Sequence, residues 1–256
     1  MIYEFYKKDY RNVGDLCCNP SRYFDLGSVK SQHFKKLNDE IEGNPAIIGG
    51  GGLLHKKFMP IFIKLLAQTP SLAVMWGVGH NTSTMTKVQD YEYYPEFIKD
   101  FDLVGIRDYI PGKEDLYVPC VSCMHPAFDK KYYSKHETVY FVHATKMRKQ
   151  QPSQKNMMLN SEMNFDQVIE FLGSGDTVVT NSYHGAYWSM LLGKKVAVLP
   201  WSVKFDHFKY QPCKISTWNN IKEIQRAYQV DADYLTECRN LNRNFYEKFL
   251  RIVYDV

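Results

Sequence analysis

The chain has 256 residues, of which 45% are hydrophobic and 23% are charged. This composition supports one large folded core or two smaller ones and excludes a disordered chain. The net charge of +4 and the pI of about 8.6 are only mildly basic, and no dense Lys/Arg run indicates nucleic-acid binding. No apolar run reaches the length of a membrane span.

Six cysteines are too few and too irregularly spaced for a disulfide framework. Cys120 and Cys123 form a lone CxxC, and no second pair of ligands has the spacing of a zinc site. We therefore expect reduced and mostly buried thiols, with no metal centre and no cofactor. Residues 2–6 already have the pattern of a strand, so we expect no signal peptide and a cytoplasmic location.

Four predicted strands in the first half of the chain are followed by glycine or polar residues. The strands are Ile2–Tyr6, Pro45–Ile48, Leu72–Trp76 and Phe101–Ile106. The residues that follow them are Asn12-Val13-Gly14-Asp15, Gly49-Gly50-Gly51-Gly52, Gly77-Val78-Gly79-His80 and Arg107-Asp108. Because ligands bind outside the carboxyl ends of parallel strands, we expect these residues to line a cleft.

The glycine run, Arg107 and the segment after the glycine run allow two interpretations each. Four consecutive glycines permit a ligand to approach the backbone closely, but they also suit a tight junction between a strand and a helix. The run lacks the spacing of a dinucleotide fingerprint and the Lys-Ser/Thr of a P-loop. Arg107 either binds an anion or pairs with Asp108. The Lys56–Ala67 segment predicts a helix packed on the sheet, with a membrane surface as the alternative partner.

A second series of strands and helices follows the polar segment 129–137, which has the pattern of a linker. Its predicted strands are Thr138–His143, Val178–Thr180 and Lys195–Leu199, and its predicted helices are Phe165–Leu172 and Asp231–Val253. The alternation predicts an α/β fold with two Rossmann-like parallel-sheet lobes and an intervening cleft. We expect lobes at 1–132 and 133–235, with residues 236–256 forming a helix that packs back on the first lobe.

The stretch from Val178 to Trp188 carries the strongest functional signal. Its β-branched residues predict a buried strand, Thr180-Asn181-Ser182 favours a turn and a helix N-cap, and an apolar helix follows. His184 therefore lies near a helix N-terminus, where free N–H groups and the helix dipole favour an anion. An imidazole there is a candidate general acid or base. The alternative is a histidine that only caps or packs the turn.

In this order, the motifs resemble those of the polysaccharide pyruvyl transferase family. They are Asn12-Val13-Gly14-Asp15, Gly49 to Leu53, Gly77-Val78-Gly79, Arg107-Asp108 and Thr180-Asn181-Ser182-Tyr183-His184-Gly185. Members have two Rossmann-like lobes similar to the GT-B architecture of glycosyltransferases. Characterised members move a pyruvyl group from phosphoenolpyruvate to two hydroxyls of a sugar, which leaves a ketal and phosphate.

The resemblance implies a catalytic residue and a set of substrate-binding residues. The catalytic residue is His184. The substrate-binding residues are Asn12, Gly14, Asp15, Gly50, Gly51, Gly52, Arg107, Asn181, Ser182, Tyr183, Gly185 and Lys204. Ser182 is a departure, since pyruvyl transferases commonly have Arg two residues before the histidine, and Lys204, Arg148 or Lys146 would have to supply the missing charge.

The resemblance also implies the partners. We expect a small anionic donor and a sugar or lipid-linked glycan acceptor, with peripheral contact at the inner face of a membrane for a lipid-linked one. The first alternative is a GT-B-type glycosyltransferase that uses a nucleotide sugar, in which Lys204 neutralises the diphosphate. The second alternative is a non-catalytic glycan-binding protein, since 19 tyrosines and four tryptophans suit sugar stacking.

Overall fold

The computed structural model of the protein describes residues 1–37, 41, 43–82, 95–146, 155–162 and 164–254. Contacts divide the chain into two compact units. The first comprises Met1–Lys8, Asp15–Ser122 and Cys238–Val256, and the second comprises Asp9–Gly14 and Cys123–Glu237. Each unit contains one parallel β-sheet with helices, so the prediction of two parallel-sheet α/β lobes is confirmed.

The first unit is built on a six-stranded sheet. Its strands are β1 (Ile2–Tyr6), β2 (Val29–His33), β3 (Pro45–Ile48), β4 (Gly51–Leu54), β5 (Leu72–His80) and β6 (Leu103–Ile106). The order is β2-β1-β3-β5, and both β4 and β6 also pair with β5. Because β2 and β3 lie on opposite sides of β1, the chain reverses its direction of travel across the sheet there. The carboxyl ends of β1 and β3 therefore form the topological switch point, the usual ligand position in such sheets.

The C-terminal helix packs on this sheet through an apolar face and a buried amide. The helices of the chain are α1 (Val13–Leu16), α2 (Met59–Leu66), α3 (Phe165–Gly173), α4 (Tyr183–Leu191), α5 (Ile221–Ile224) and α6 (Tyr234–Tyr254). On α6, Asn242 accepts a 3.0 Å hydrogen bond from the Trp76 indole and donates to the carbonyl of Pro119. The ring of Phe245 lies 4.8 Å from that of Trp76. These contacts hold the helix from Cys238 onward against the first unit.

The second unit is built on a five-stranded sheet with the same winding. Its strands are β7 (His136–Val142), β8 (Met157–Leu159), β9 (Gly175–Thr180), β10 (Lys195–Val198) and β11 (Cys213–Lys214), in the order β8-β7-β9-β10-β11. The switch point lies between β7 and β9. All nine residues of α4 are buried, as expected for a helix that is apolar on every face.

The contact-based division differs from the lobe boundaries expected from the sequence. Residues 9–14 group with the second unit, because the Val13 amide donates to the carbonyl of Asn160 at 3.0 Å. The second unit begins at Cys123, ten residues before the expected boundary, because His125 packs on Phe165 with ring centroids 4.2 Å apart. The polar composition of residues 129–137 indicates only that this segment is exposed. The boundary between the units depends instead on contacts of a few apolar and main-chain groups.

Two glycine-containing segments that were expected to follow strands lie partly within strands. β5 continues through Gly77 and Gly79 to His80, and the glycine run enters β4 at Gly51 with no helix directly after it. Consecutive glycines weaken the sequence signal for a strand, because they have no side chain to pack, but β4 pairs in parallel with β5. Among the described residues, no helix is both long enough and apolar enough to cross a membrane.

Candidate functional site

The turn between β9 and α4 is held by its own polar side chains. The hydroxyl of Thr180 donates to the carbonyl of Phe141 at 2.6 Å and accepts from the amide of Ser182 at 2.9 Å. Ser182 is the N-cap of α4, and its hydroxyl accepts from the amide of Gly185 at 3.3 Å. The cap satisfies one amide of the first turn and leaves the dipole of the helix aimed at the switch point.

Asn181 ties together the loops at the switch point of the second sheet. Its side-chain oxygen accepts from the amide of His143 at 2.7 Å, and its side-chain nitrogen donates to the carbonyl of Lys146 at 3.1 Å. Its own carbonyl accepts from the Trp201 indole at 2.8 Å. Asn181 is only 2% exposed; its side chain fixes the loop after β7, and its main-chain carbonyl holds the loop after β10.

His184, in the first turn of α4, is packed tightly against Gly14. A Cβ added to Gly14 would lie 2.1 Å from Nδ1 of His184 and 2.6 Å from its Cγ. The imidazole also contacts Tyr183 and Trp188, with ring centroids 5.4 and 5.1 Å away. Only a glycine can therefore lie over this ring, and the imidazole is 5% exposed. The packing fixes the position of a titratable group at the helix N-terminus.

A buried asparagine that the sequence analysis did not identify holds Gly14 in this place. Asn160 donates from its side chain to the side-chain oxygen of Asn12 at 3.1 Å, and that oxygen also accepts from the amide of Gly14. The side-chain oxygen of Asn160 accepts from the amide of Ala144 at 2.8 Å. Asn160 is 1% exposed. It follows a three-residue strand, which is too short to leave a clear sequence pattern.

Two lysines approach the indole of Trp201 in the loop after β10. The ammonium of Lys204 lies 4.0 Å from the ring centroid, and that of Lys146 lies 4.7 Å from it. Lys204 is 7% exposed, whereas Lys146 is exposed. The attraction of a cation to an indole face is enough to orient such side chains. Two cations of the second unit therefore lie near one aromatic ring. The indole N–H of this ring donates to Asn181, the residue before the N-cap of α4.

In the first unit, the glycine run lies at the end of β3 beside β1. The amide of Gly50 donates to the carbonyl of Cys18 at 3.0 Å, and a Cβ at position 50 would lie 2.8 Å from the carbonyl of Gly77. Gly51 has φ of +114°, a conformation that favours glycine. Asp15 lies nearby, paired at 2.6 Å with Lys7. The glycines thus allow close approach of neighbouring backbone as well as the left-handed turn.

A buried thiol pair lies beneath this loop. The sulfurs of Cys18 and Cys120 are 3.6 Å apart, and Cys120 also contacts the hydroxyl of Ser122 at 3.2 Å. The hydrogen bond with Cys120 and burial raise the pKa of the Cys18 thiol well above its ordinary value. None of the six cysteines forms a disulfide, and five of them are buried, so the expectation of mostly buried thiols agrees with the structure. The expected absence of a metal stays a prediction.

Arg107, at the end of β6, is the only arginine that is buried among the described residues, at 3% exposure. The neighbouring Asp108 accepts two hydrogen bonds from His80, from its amide and from Nδ1, both at 2.6 Å. In the sequence, His80 and Asp108 each follow a predicted strand, but their pairing depends on the register of β5 and β6 and leaves no local pattern.

A model of the polysaccharide pyruvyl transferase family matches residues 4–203. The chain belongs to the polysaccharide pyruvyl transferase family. The resemblance inferred from the motifs is thereby confirmed, and the family indicates a transferase.

A solved structure supports the fold of this family member. It is a functionally uncharacterised protein from Klebsiella pneumoniae, which is 16% identical to the chain. The match covers 84% of this chain and 92% of that chain, with a TM-score of 0.50. At this identity the likeness concerns the fold alone. No curated protein matches the chain by sequence.

The family's site residues fall into two groups, one in each unit. The second unit holds Asn12, Gly14, Asn181, Ser182, Tyr183, His184, Gly185 and Lys204, and the first holds Asp15, Gly50, Gly51, Gly52 and Arg107. His184 and its neighbours follow β9, Gly50 follows β3 and Arg107 follows β6, whereas Gly51 and Gly52 lie inside β4. The substrate-binding roles, and the expectation that both groups line one cleft, stay predictions, and Arg148 lies outside the described residues.

Some of these pyruvyl transferase motif residues have a clear packing role. A Cβ on Gly185 would lie 2.5 Å from the ring of Phe141, so this glycine lets α4 approach β7. Tyr183 stacks on Phe208 with centroids 4.6 Å apart. A Cβ on Gly52 would lie 2.7 Å from that of Asn81. These residues shape the site through packing, whether or not they also touch a substrate.

Proposed function

We propose that the protein transfers the pyruvyl group of phosphoenolpyruvate to two hydroxyls of a sugar, forming a ketal and releasing phosphate. The observation that carries this proposal is the fixed position of His184. Gly14 packs on its ring at the N-terminus of α4, at the switch point of the second sheet. Family membership supports a transferase, and this geometry supports proton transfer next to an anion-binding helix end.

The reaction needs protons to move at two stages. A proton adds to the methylene carbon of phosphoenolpyruvate while one sugar hydroxyl adds its oxygen to the adjacent carbon and loses its proton. Phosphate then leaves that carbon, and the second hydroxyl adds there and loses its proton, which completes the ketal. His184 supplies the proton for the methylene carbon as the general acid, and as imidazole it takes up a hydroxyl proton.

The negative charge of the leaving phosphate needs cations and N–H donors. In the second unit, Lys204 and Lys146 lie on the face of Trp201, and the first turn of α4 adds its dipole. We assign the phosphate to these groups, which replace the arginine that pyruvyl transferases commonly have at the position of Ser182. The substrate-binding role of Arg107, a buried guanidinium of the first unit, stays a prediction.

Transfer of a sugar from a nucleotide sugar is the second candidate. It is favoured by Ser182, because a serine cap leaves the helix N-terminus open to a diphosphate and supplies no guanidinium for a carboxylate. In that case Lys204 would neutralise the diphosphate and His184 would act as a base.

The proposal is tested by incubating the protein with phosphoenolpyruvate and a panel of oligosaccharide acceptors. Pyruvyl transfer adds the mass of pyruvic acid less one water to the acceptor and releases one phosphate per product. His184→Asn should lower turnover about 10²–10⁴-fold, the usual loss for a general acid or base. His136→Asn, an exposed histidine at the start of β7, is the matched control and should keep full activity. Full activity of His184→Asn would contradict the acid–base role.

A further inference from the structure

The indole of Trp201, in the loop after β10, is held by a hydrogen bond and by a neighbouring ring. Its N–H donates to the carbonyl of Asn181 at 2.8 Å. The imidazole of His143 is nearly perpendicular to it, with ring centroids 5.9 Å apart and an interplanar angle of 86°. Trp201 is half-buried, so its ring is fixed in orientation while part of its surface stays accessible.

The ammonium of Lys204 contacts two aromatic rings. It lies 4.0 Å from the centroid of Trp201 and 5.5 Å from that of Phe205, and the two rings are inclined to each other at 68°. Lys204 is 7% exposed and belongs to the short 3₁₀ helix Val203–Phe205. An aromatic face attracts a cation without neutralising it, so the ammonium keeps the charge that attracts an anion.

A second cation approaches the same ring from the loop after β7. The ammonium of Lys146 lies 4.7 Å from the centroid of Trp201, and the carbonyl of Lys146 accepts from the side chain of Asn181 at 3.1 Å. Because Asn181 directly precedes Ser182, the N-cap of α4, the ring that both ammonium groups approach is attached just before the start of that helix. All of these residues belong to the second unit.

We infer that Trp201 is a positioning residue, which holds the ammonium of Lys204 where the phosphate of the donor binds. This inference rests on the proposed function, which assigns that phosphate to Lys204, Lys146 and the first turn of α4. A lysine has a flexible four-carbon stem, and ordering such a side chain on binding costs free energy. A ring that already holds the ammonium removes part of this cost. The ammonium has three N–H donors, so the contact with the ring leaves donors for the phosphate.

The test is a double-mutant cycle on the affinity for phosphoenolpyruvate, measured by calorimetry at a temperature where every variant is folded. Trp201→Leu removes the aromatic face and should weaken binding about three- to tenfold in the wild-type background, the range of a cation–π contact. In the Lys204→Ala background the same substitution should weaken binding less than about twofold, because the ammonium that the ring holds is gone.

Two further readouts distinguish positioning from packing. Trp201→Phe keeps an aromatic face and should bind phosphoenolpyruvate more tightly than Trp201→Leu, although less tightly than the wild type, because indole is the better partner for a cation. In steady state, Trp201→Leu should raise KM for the donor and leave KM for the acceptor within about twofold.

Trp218→Leu is the matched control. Trp218 is a buried tryptophan of the same unit, and its ring lies 6.5 Å from that of Tyr140. Its loss should lower the unfolding temperature and leave donor affinity unchanged. If Trp201→Leu does not fold, the protein is made with fluorinated tryptophan, which keeps the shape of the ring and weakens its attraction for a cation. Donor affinity should then fall in the wild type and not in Lys204→Ala.

The outcomes separate the inference from the proposed function, because the same cycle is run with UDP, whose diphosphate represents that of a nucleotide sugar. If the wild type binds UDP but not phosphoenolpyruvate, and Trp201 and Lys204 are coupled in UDP binding, pyruvyl transfer is wrong and the positioning role stands. Binding of neither ligand would overturn both.

The remaining outcomes concern the positioning role alone. It is overturned if the wild type binds phosphoenolpyruvate and Trp201→Leu leaves the Kd unchanged, or weakens binding equally with and without Lys204. An equal loss of donor affinity in Trp218→Leu would also overturn it, since both substitutions would then act through general stability. If Lys204→Ala binds phosphoenolpyruvate as tightly as the wild type, both the assignment of the phosphate to Lys204 and the role of Trp201 are wrong.

Discussion

Gly14 and His184 leave no space for a side chain between them. A Cβ on Gly14 would lie 2.1 Å from Nδ1 of the imidazole, far inside contact distance. Gly14 is itself fixed by two hydrogen bonds. Its amide donates to the side-chain oxygen of Asn12, and the amide of the preceding residue, Val13, donates to the carbonyl of Asn160. A segment near the N-terminus of the chain therefore determines where the imidazole of the second unit lies.

Gly14→Ala should displace His184 while leaving the rest of the fold in place. The methyl group forces the ring or the segment around it to move, so turnover should fall by at least about tenfold, within the loss expected for an acid–base group. The measurement is product formation from phosphoenolpyruvate, with thermal unfolding as a check on folding. In a His184→Asn background, Gly14→Ala should cause no further loss of turnover. If Gly14→Ala lowers turnover in the His184→Asn background as much as in the wild type, Gly14 does not act through His184.

Lys204→Ala should weaken donor binding much more than acceptor binding. The ammonium of Lys204 is buried against Trp201 next to the α4 turn, and a charged contact to phosphate is worth about 1.5–3 kcal/mol. The donor Kd should therefore rise about 10–100-fold, as measured by calorimetry with phosphoenolpyruvate. Lys195→Ala is the control, because Lys195 begins β10, the strand before the loop of Lys204, and pairs with Asp176. An unchanged donor Kd for Lys204→Ala would exclude this lysine from the donor site.

Asn181→Ala should destabilise the protein more than Ser182→Ala. Removing the Asn181 side chain leaves the amide of His143 and the carbonyl of Lys146 without this partner, at a cost of about 1–3 kcal/mol. Removing the Ser182 hydroxyl deletes one cap, at about 1 kcal/mol. Free energies of unfolding from urea titrations decide the order. A smaller loss for Asn181→Ala would mean that its hydrogen bonds do not hold the loops together.

How much of the site can be predicted from sequence depends on the range of the contacts involved. The strand, cap and helix around His184 follow from local patterns, and the family resemblance follows from the order of several such patterns. The roles of Asn160 and Asp108 do not, because they depend on which loops and strands lie side by side. A polar residue after a short strand has the same local pattern whether it holds a neighbouring loop or faces water.

The stability of the protein should fall at alkaline pH, and Cys17→Ser should reduce that fall. Burial, helped by the nearby Cys120, raises the pKa of the Cys17 thiol from 9.0 to about 12. The folded state then keeps a proton that the unfolded state loses, so this stabilisation is complete below about pH 9 and is lost as pH rises toward 12. Unfolding free energies of wild type and Cys17→Ser from pH 7 to pH 11 measure the difference. Parallel curves would contradict the assignment.

Ligand-induced thermal stabilisation decides whether phosphoenolpyruvate or a nucleotide sugar is the donor. The protein is heated with phosphoenolpyruvate or with UDP-, GDP- or dTDP-sugars, each over a range of concentrations. A ligand at 100 times its Kd adds about 2.7 kcal/mol of stability, enough to shift the unfolding temperature measurably. We expect phosphoenolpyruvate to stabilise the protein, this stabilisation to be reduced in Lys204→Ala, and the nucleotide sugars to have no effect. Stabilisation by a nucleotide sugar and not by phosphoenolpyruvate would contradict this expectation.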